Sequence, residues 1–133
     1  MKLYDISQEV FSCIVYPGDP APERLVLNST AAGDLYNLTV FSMCAHNGTH
    51  VDAPFHFVEK GRTVDQLGLE PFVGDCFVAR WEGDVTAQQA RQILVSAGDA
   101  KRILIAGKAT VTAEAAEVFA SSGILLLGNE SQT

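Results

Sequence analysis

Three imidazoles and a carboxylate fall within eleven residues of this chain, in the run His46-Asn47-Gly48-Thr49-His50-Val51-Asp52-Ala53-Pro54-Phe55-His56, which holds every histidine of the sequence. Neutral imidazole and carboxylate are the donors that borderline and hard divalent metals select, and no C-x-x-C pair competes for such an ion. The spacing is informative about shape. Gly48, Pro54 and the β-branched Thr49 and Val51 disfavour a helix. On a straight strand His46 and His50 would lie roughly 13 Å apart, too far to share one ion. A turn is therefore required, and Asn47-Gly48 is expected to supply it, both residue types tolerating positive φ. His50 and Asp52, two apart on extended backbone, face one side at about 7 Å between Cα atoms.

Three protein ligands, His46, His50 and Asp52, leave a coordination position open, which distinguishes a catalytic metal from a structural one; water there drops toward a pKa of about 7 and can attack as hydroxide. Pro54 biases Ala53 to extended geometry and carries His56 farther along, a position suited to a proton shuttle rather than a fourth ligand. The competing reading packs His56 between Phe55 and Phe57 as an ordinary aromatic. Zinc is the first choice of ion and manganese the alternative.

Other parts of the chain must position this segment. Leu35 through Cys44, with Tyr36, Thr39, Val40 and Phe41, reads as a strand leading into it. Upstream, turn signals such as Tyr16-Pro17-Gly18-Asp19-Pro20 and Ala32-Gly33-Asp34 separate short apolar runs, implying strands and long loops. The Tyr16–Pro20 stretch reads either as a proline-stiffened turn or as a substrate-covering loop with Tyr16 stacking on an aromatic ligand. Lys60 and Arg62 are either solvated or available to a carboxylate.

The second half alternates strand and helix. Apolar runs at Cys76–Ala79, Ile103–Ile105 and Ile124–Leu127 look like strands buried on both faces. Thr86 and Gln89 form a capping-box pattern opening a helix through Ile93, Leu94 and Ala97, with Gly98 as its left-handed cap. A second helix starts after Thr112, turns Ala115, Val118 and Phe119 inward and stops near Gly123. The result is a β-α-β-α-β unit with parallel strands.

With 133 residues, 47% of them hydrophobic, the chain is expected to form one domain over residues 1–133. A formal net charge of -7 with scattered basic residues argues against a nucleic-acid partner. No run approaches the ~20 apolar residues that span a bilayer, and Met1–Asp5 lacks a signal-peptide core, so no membrane partner and a cytoplasmic location are expected. Cys13, Cys44 and Cys76 read as reduced core thiols, with Cys44, two residues before His46, as a secondary candidate to face the metal.

The run HNGTHVDAPFHF resembles the H-x-G-T-H-x-D-x-P-x-H-F signature of the cyclase family, which includes bacterial kynurenine formamidase and isatin hydrolase. Tyr4-Asp5-Ile6-Ser7, Tyr16–Pro20, Gly61-Arg62-Thr63-Val64 and Leu67-Gly68-Leu69-Glu70 resemble it more loosely. The resemblance implies an α/β fold of the swivelling β/α/β type with a mixed sheet and long N-terminal loops. It also implies a homodimer or higher homo-oligomer whose neighbouring subunit contributes to the pocket, and hydrolysis of a C–N amide bond in a small molecule. By the same resemblance His46, His50 and Asp52 are metal ligands and His56 the acid/base, with Asp52 bridging where a family member holds two ions. Family members supply a later His and Glu for the second ion, whereas no histidine follows His56 here. The run Leu125–Ser131 resembles an internal strand end, so the sequence is expected to lack its C-terminal part; a mononuclear site or completion by a partner are the other readings, and Glu130 either faces the pocket or is solvated. Alternatives to amide hydrolysis are a non-catalytic metal-binding or assembly subunit, or a lactonase or lyase of the same family.

Overall fold

The computed structural model describes residues 2–132. Contacts divide the chain into two compact units, Met1–Gln66 and Leu67–Thr133. The architecture is α/β, with antiparallel and parallel sheets and two helices.

In the first unit β1 (Glu23–Asn28) pairs antiparallel with β2 (Leu38–Ser42), Leu25 opposite Val40 and Arg24 opposite Phe41. The expected strand at Leu35–Cys44 is therefore real but shorter, because the chain from Thr30 to Asn37 is spent on a 3-10 turn and on side-chain locks. Asn37 Oδ1 accepts from Thr30 N at 2.9 Å, and Asp34 Oδ2 accepts from Ser29 N at 2.7 Å. Phe11 meets Phe41 edge-on, 6.3 Å between centroids, with the Arg24 guanidinium over the Phe11 ring. Asn47 is the single buried residue of this unit among those described, and the apolar residues of β1 and β2 remain exposed.

The second unit holds the core. β3 (Phe77–Arg80), β5 (Arg102–Ala106) and β7 (Leu126–Asn129) form a parallel sheet in the order β3-β5-β7, joined by α1 (Ala87–Ala97) and α2 (Ala113–Ser121). This is the β-α-β-α-β arrangement expected. Two three-residue strands, β4 (Gly83–Val85) and β6 (Ala109–Val111), add a parallel pair that the sequence did not suggest. The two strand senses thus fall in separate sheets.

The helices begin where their caps are. Gln89 Oε1 accepts from Thr86 N at 3.3 Å, and Thr112 Oγ1 accepts from Ala115 N at 3.3 Å, satisfying amides that the first turn of a helix leaves unpaired. Gly98 closes α1 with φ +57° and ψ -120°, a glycine conformation outside the left-handed helical basin expected. Ala90, Ile93, Ala115 and Phe119 join Ala79, Ile103 and Ile105 in one cluster. A fully buried side chain such as Phe119 contributes roughly 1.5–3 kcal/mol. The two-faced burial expected is not met: in β3 Val78 is exposed, in β5 Ile103 and Ile105 are buried while Leu104 is half-buried, and β7 is half-buried throughout.

The cysteines are free, but none is a core thiol. Cys13 and Cys44 belong to the unit in which only Asn47 is buried, and Cys76 is exposed ahead of β3. No helix among the described residues is long and apolar enough to cross a membrane.

Candidate metal centre

β2 ends at Ser42, and the chain turns immediately. Asn47 N donates to Cys44 O at 3.1 Å, closing a four-residue turn with His46 in its third position. Gly48 then takes φ +67°; no non-glycine residue among those described has positive φ, so Asn47 turns the chain without the left-handed conformation expected of it. A Cβ on Gly48 would stand 3.5 Å from Gln8 O and 3.6 Å from Val10 Cγ2, and Thr49 Oγ1 accepts from Gln8 N at 2.9 Å. The N-terminal segment therefore backs the turn.

This folding brings three donors together. His46 Nδ1 lies 2.9 Å from Asp52 Oδ1, and His50 Nε2 lies 3.5 Å from the same oxygen. One ligand atom from each of the three residues falls within 4.8 Å of the others. Zinc bonds of about 2.0–2.2 Å to nitrogen and oxygen place neighbouring donors of a tetrahedral site roughly 3.4 Å apart, so the set fits one ion. His50 Nδ1 is 2.9 Å from Gly48 O, and because a carbonyl can only accept, this contact favours a proton on Nδ1, with Nε2 on the Asp52 side. His46 is half-buried while His50 and Asp52 are exposed, which leaves the centre open to solvent and to a ligand.

His56 follows in a 3-10 turn, Pro54–His56, with its N–H on Ala53 O at 2.9 Å. Its ring lies 4.1 Å from that of His46 between centroids, tilted by 32°, and 4.1 Å from Phe57. It is beside the donor set, not one of its three members. Arg62 O accepts from Phe55 N at 3.1 Å, and Gly61 N donates to Val58 O at 2.7 Å, so the chain doubles back on the turn that carries His56.

That doubling back depends on Gly61, whose role the sequence did not disclose. A Cβ there would meet Pro54 C at 2.6 Å and Phe55 N at 2.7 Å, and backbone cannot swing aside as a side chain can. Gly61→Ala is expected to push the Pro54–His56 turn outward at a cost of about 1–3 kcal/mol, the usual range for overpacking. Thermal unfolding checks it, and an unchanged midpoint would show that this loop has slack.

Tyr16 is exposed at the start of a turn closed by Asp19 N on Tyr16 O at 3.0 Å. Cys44 Sγ donates to Asp19 Oδ2 at 3.5 Å, so the secondary candidate for the metal instead ties the Tyr16–Pro20 turn to the end of β2. Lys60 and Arg62 have exposed side chains. In the second unit Glu130 lines a cavity of about 420 Å³ with Arg80, Trp81 and Glu82, and its Oε2 accepts from Gly107 N at 2.6 Å.

Residues 4–123 match the Cyclase family model. The chain belongs to the cyclase family. Within it, 72 residues are 42% identical to the kynurenine formamidase of Geobacillus thermodenitrificans (strain NG80-2), covering 53% of this chain and 34% of that protein. The kynurenine formamidase of Bacillus anthracis is 39% identical over 74 residues, 55% of this chain and 35% of its own. That of Delftia acidovorans (strain DSM 14801 / SPH-1) is 32% identical over 78 residues, 58% and 37% respectively. The matched stretch thus spans about a third of each relative's length. In this cyclase-family chain the three donors and His56 all lie inside the family match.

Proposed function

We propose that this cyclase-family protein is a metal-dependent hydrolase that cleaves a C–N amide bond in a small molecule, N-formylkynurenine being the leading substrate, in the cytoplasm and as a homo-oligomer. One observation carries the reading: His46, His50 and Asp52 converge their donor atoms beside the ring of His56. The names of the relatives support the choice of an amide.

In this reading His46, His50 and Asp52 hold zinc, or manganese in its place. The bound ion supplies Lewis acidity to the scissile carbonyl and lowers the pKa of water. Everything else falls to the chain. Asp52 contributes the only negative charge of the donor set and offsets the cation. The Gly48 carbonyl, by accepting from His50 Nδ1, would leave Nε2 as the nitrogen that holds the ion. His56 accepts the proton released as water attacks the carbonyl carbon and returns it to the departing amine nitrogen, so that the C–N bond breaks with formate and a free amine as products. Tyr16, on the turn tied to Cys44, stacks on the aromatic ring of the substrate.

The test is turnover of N-formylkynurenine by the full chain in zinc- or manganese-replete buffer, followed as release of the aryl amine. Metal-dependent release, lost on chelation and restored by adding the ion back, is the expected result. A protein that binds metal stoichiometrically yet turns over no formyl amide, lactam or ester would instead be a non-catalytic metal-binding subunit.

A further inference from the structure

The turn that presents His46 is closed twice by one residue. Asn47 donates its backbone N–H to Cys44 O at 3.1 Å, and its side-chain Oδ1 accepts from Cys44 N at 2.8 Å. The two bonds run in opposite senses between the same pair of residues, so the Cys44–Asn47 turn is fixed at both ends of its span, with Ala45 and His46 as the residues between. Asn47 is also the one buried polar residue among those described, 2% exposed, in a unit where every neighbouring apolar side chain is more open to water. Burying an amide is unfavourable unless its groups are paired, so this placement has to be offset by what the side chain holds.

We infer that Asn47 is a positioning residue for the metal centre: its side-chain acceptor locks the turn so that His46 Nδ1 meets Asp52. The inference rests on the reading of His46, His50 and Asp52 as metal ligands. A backbone hydrogen bond alone leaves such a turn free to open and reclose, and many turns do without one. The second bond removes that freedom, and ordering the turn before the ion arrives spares the binding step the entropy of doing so. The same clamp holds Cys44, whose thiol reaches Asp19, so the turn bearing Tyr16 is registered to the same point. Asn47 touches neither ion nor substrate and acts through its neighbours.

The experiment compares zinc affinity, by competition with a chromophoric chelator, across the full chain and three variants, with circular dichroism as the control for fold. Asn47→Leu keeps the size and removes the acceptor, and at least a tenfold loss of affinity is expected. Asn47→Asp keeps an acceptor oxygen in place and is expected to stay within threefold of the parent. A Leu variant within twofold of the parent overturns the inference, as does an Asp variant that loses as much as the Leu. If the Leu variant does not fold, Asn47→Gln serves, since its extra methylene carries the acceptor past Cys44 N; at least a fivefold loss is expected, and unchanged affinity overturns the inference. Failure of the parent chain itself to bind zinc or manganese would sink the metal reading, whereas tight binding by the parent with insensitive variants sinks only the role of Asn47.

Discussion

Asp52→Asn is expected to lower zinc affinity at least a hundredfold while leaving the metal-free fold unchanged. The substitution preserves shape and alters only charge and acceptor strength. Asp52 Oδ1 is the atom on which both imidazoles converge, 2.9 Å from His46 Nδ1 and 3.5 Å from His50 Nε2, so it is the common corner of the donor set. A neutral amide oxygen there is a much weaker partner for a divalent cation than a carboxylate. Loss of an outer hydrogen-bond partner to a metal ligand typically costs about 10–100-fold in affinity, and loss of the anionic ligand itself should exceed that. At 1.4 kcal/mol per tenfold, a hundredfold is about 2.8 kcal/mol of binding energy. The metal-free protein should hardly notice, because Asp52 is exposed and surface changes are usually worth within about 0.5 kcal/mol. Calorimetric titration with zinc, beside thermal unfolding in a chelator, separates the two effects. An Asn variant that binds zinc within threefold of the parent would remove Asp52 from the ligand set.

What the sequence made legible follows a physical division between local and non-local determinants. Thr86, Gln89 and Thr112 mark helix starts through hydrogen bonds to residues three positions away, so α1 and α2 could be read directly. β5 and β7 stood out as apolar runs, yet the depth of burial along them, alternating in β5 and half-buried throughout β7, follows from where the helices pack, a tertiary fact. β4 and β6 are three residues each and exist by pairing with each other across the chain, which Gly83-Asp84-Val85 alone does not announce. β1 was hidden in the same way, since its partner lies across the Thr30–Asn37 excursion. At the centre, the need for a turn between His46 and His50 followed from strand spacing alone. The means by which the chain turns did not. Asn47 works through its side chain on Cys44 and not through positive φ, and Gly61 matters because Pro54 and Phe55 lie against it. Cys13 and Cys44 were misjudged because the tendency of free thiols to be buried says nothing about a unit with so little interior, and Cys76 because it precedes β3 rather than lying within it.

His56→Ala is expected to reduce kcat/KM for the amide by about 10²- to 10⁴-fold, the usual contribution of a positioned acid/base, with zinc stoichiometry intact. The geometry separates this residue from the three candidate ligands. Its ring lies 4.1 Å from that of His46 between centroids, tilted by 32°, while the donor atoms that could share an ion belong to His46, His50 and Asp52. Among the described residues no hydrogen bond engages its ring nitrogens, and the side chain is exposed, which is what the proposed acid/base role requires. The loss should appear in kcat more than in KM, because proton transfer contributes in the transition state and little in the ground state. The rival explanation is packing, since His56 also contacts Phe57 at 4.1 Å and could serve only to steady the His46 ring. His56→Phe decides between them. A phenyl ring keeps the stack on His46 and Phe57 but carries no proton, so an acid/base role makes the Phe variant as inactive as the Ala variant, and a packing role restores it. Either variant retaining activity within threefold of the parent would move proton transfer to another group and leave His56 as a wall of the metal centre.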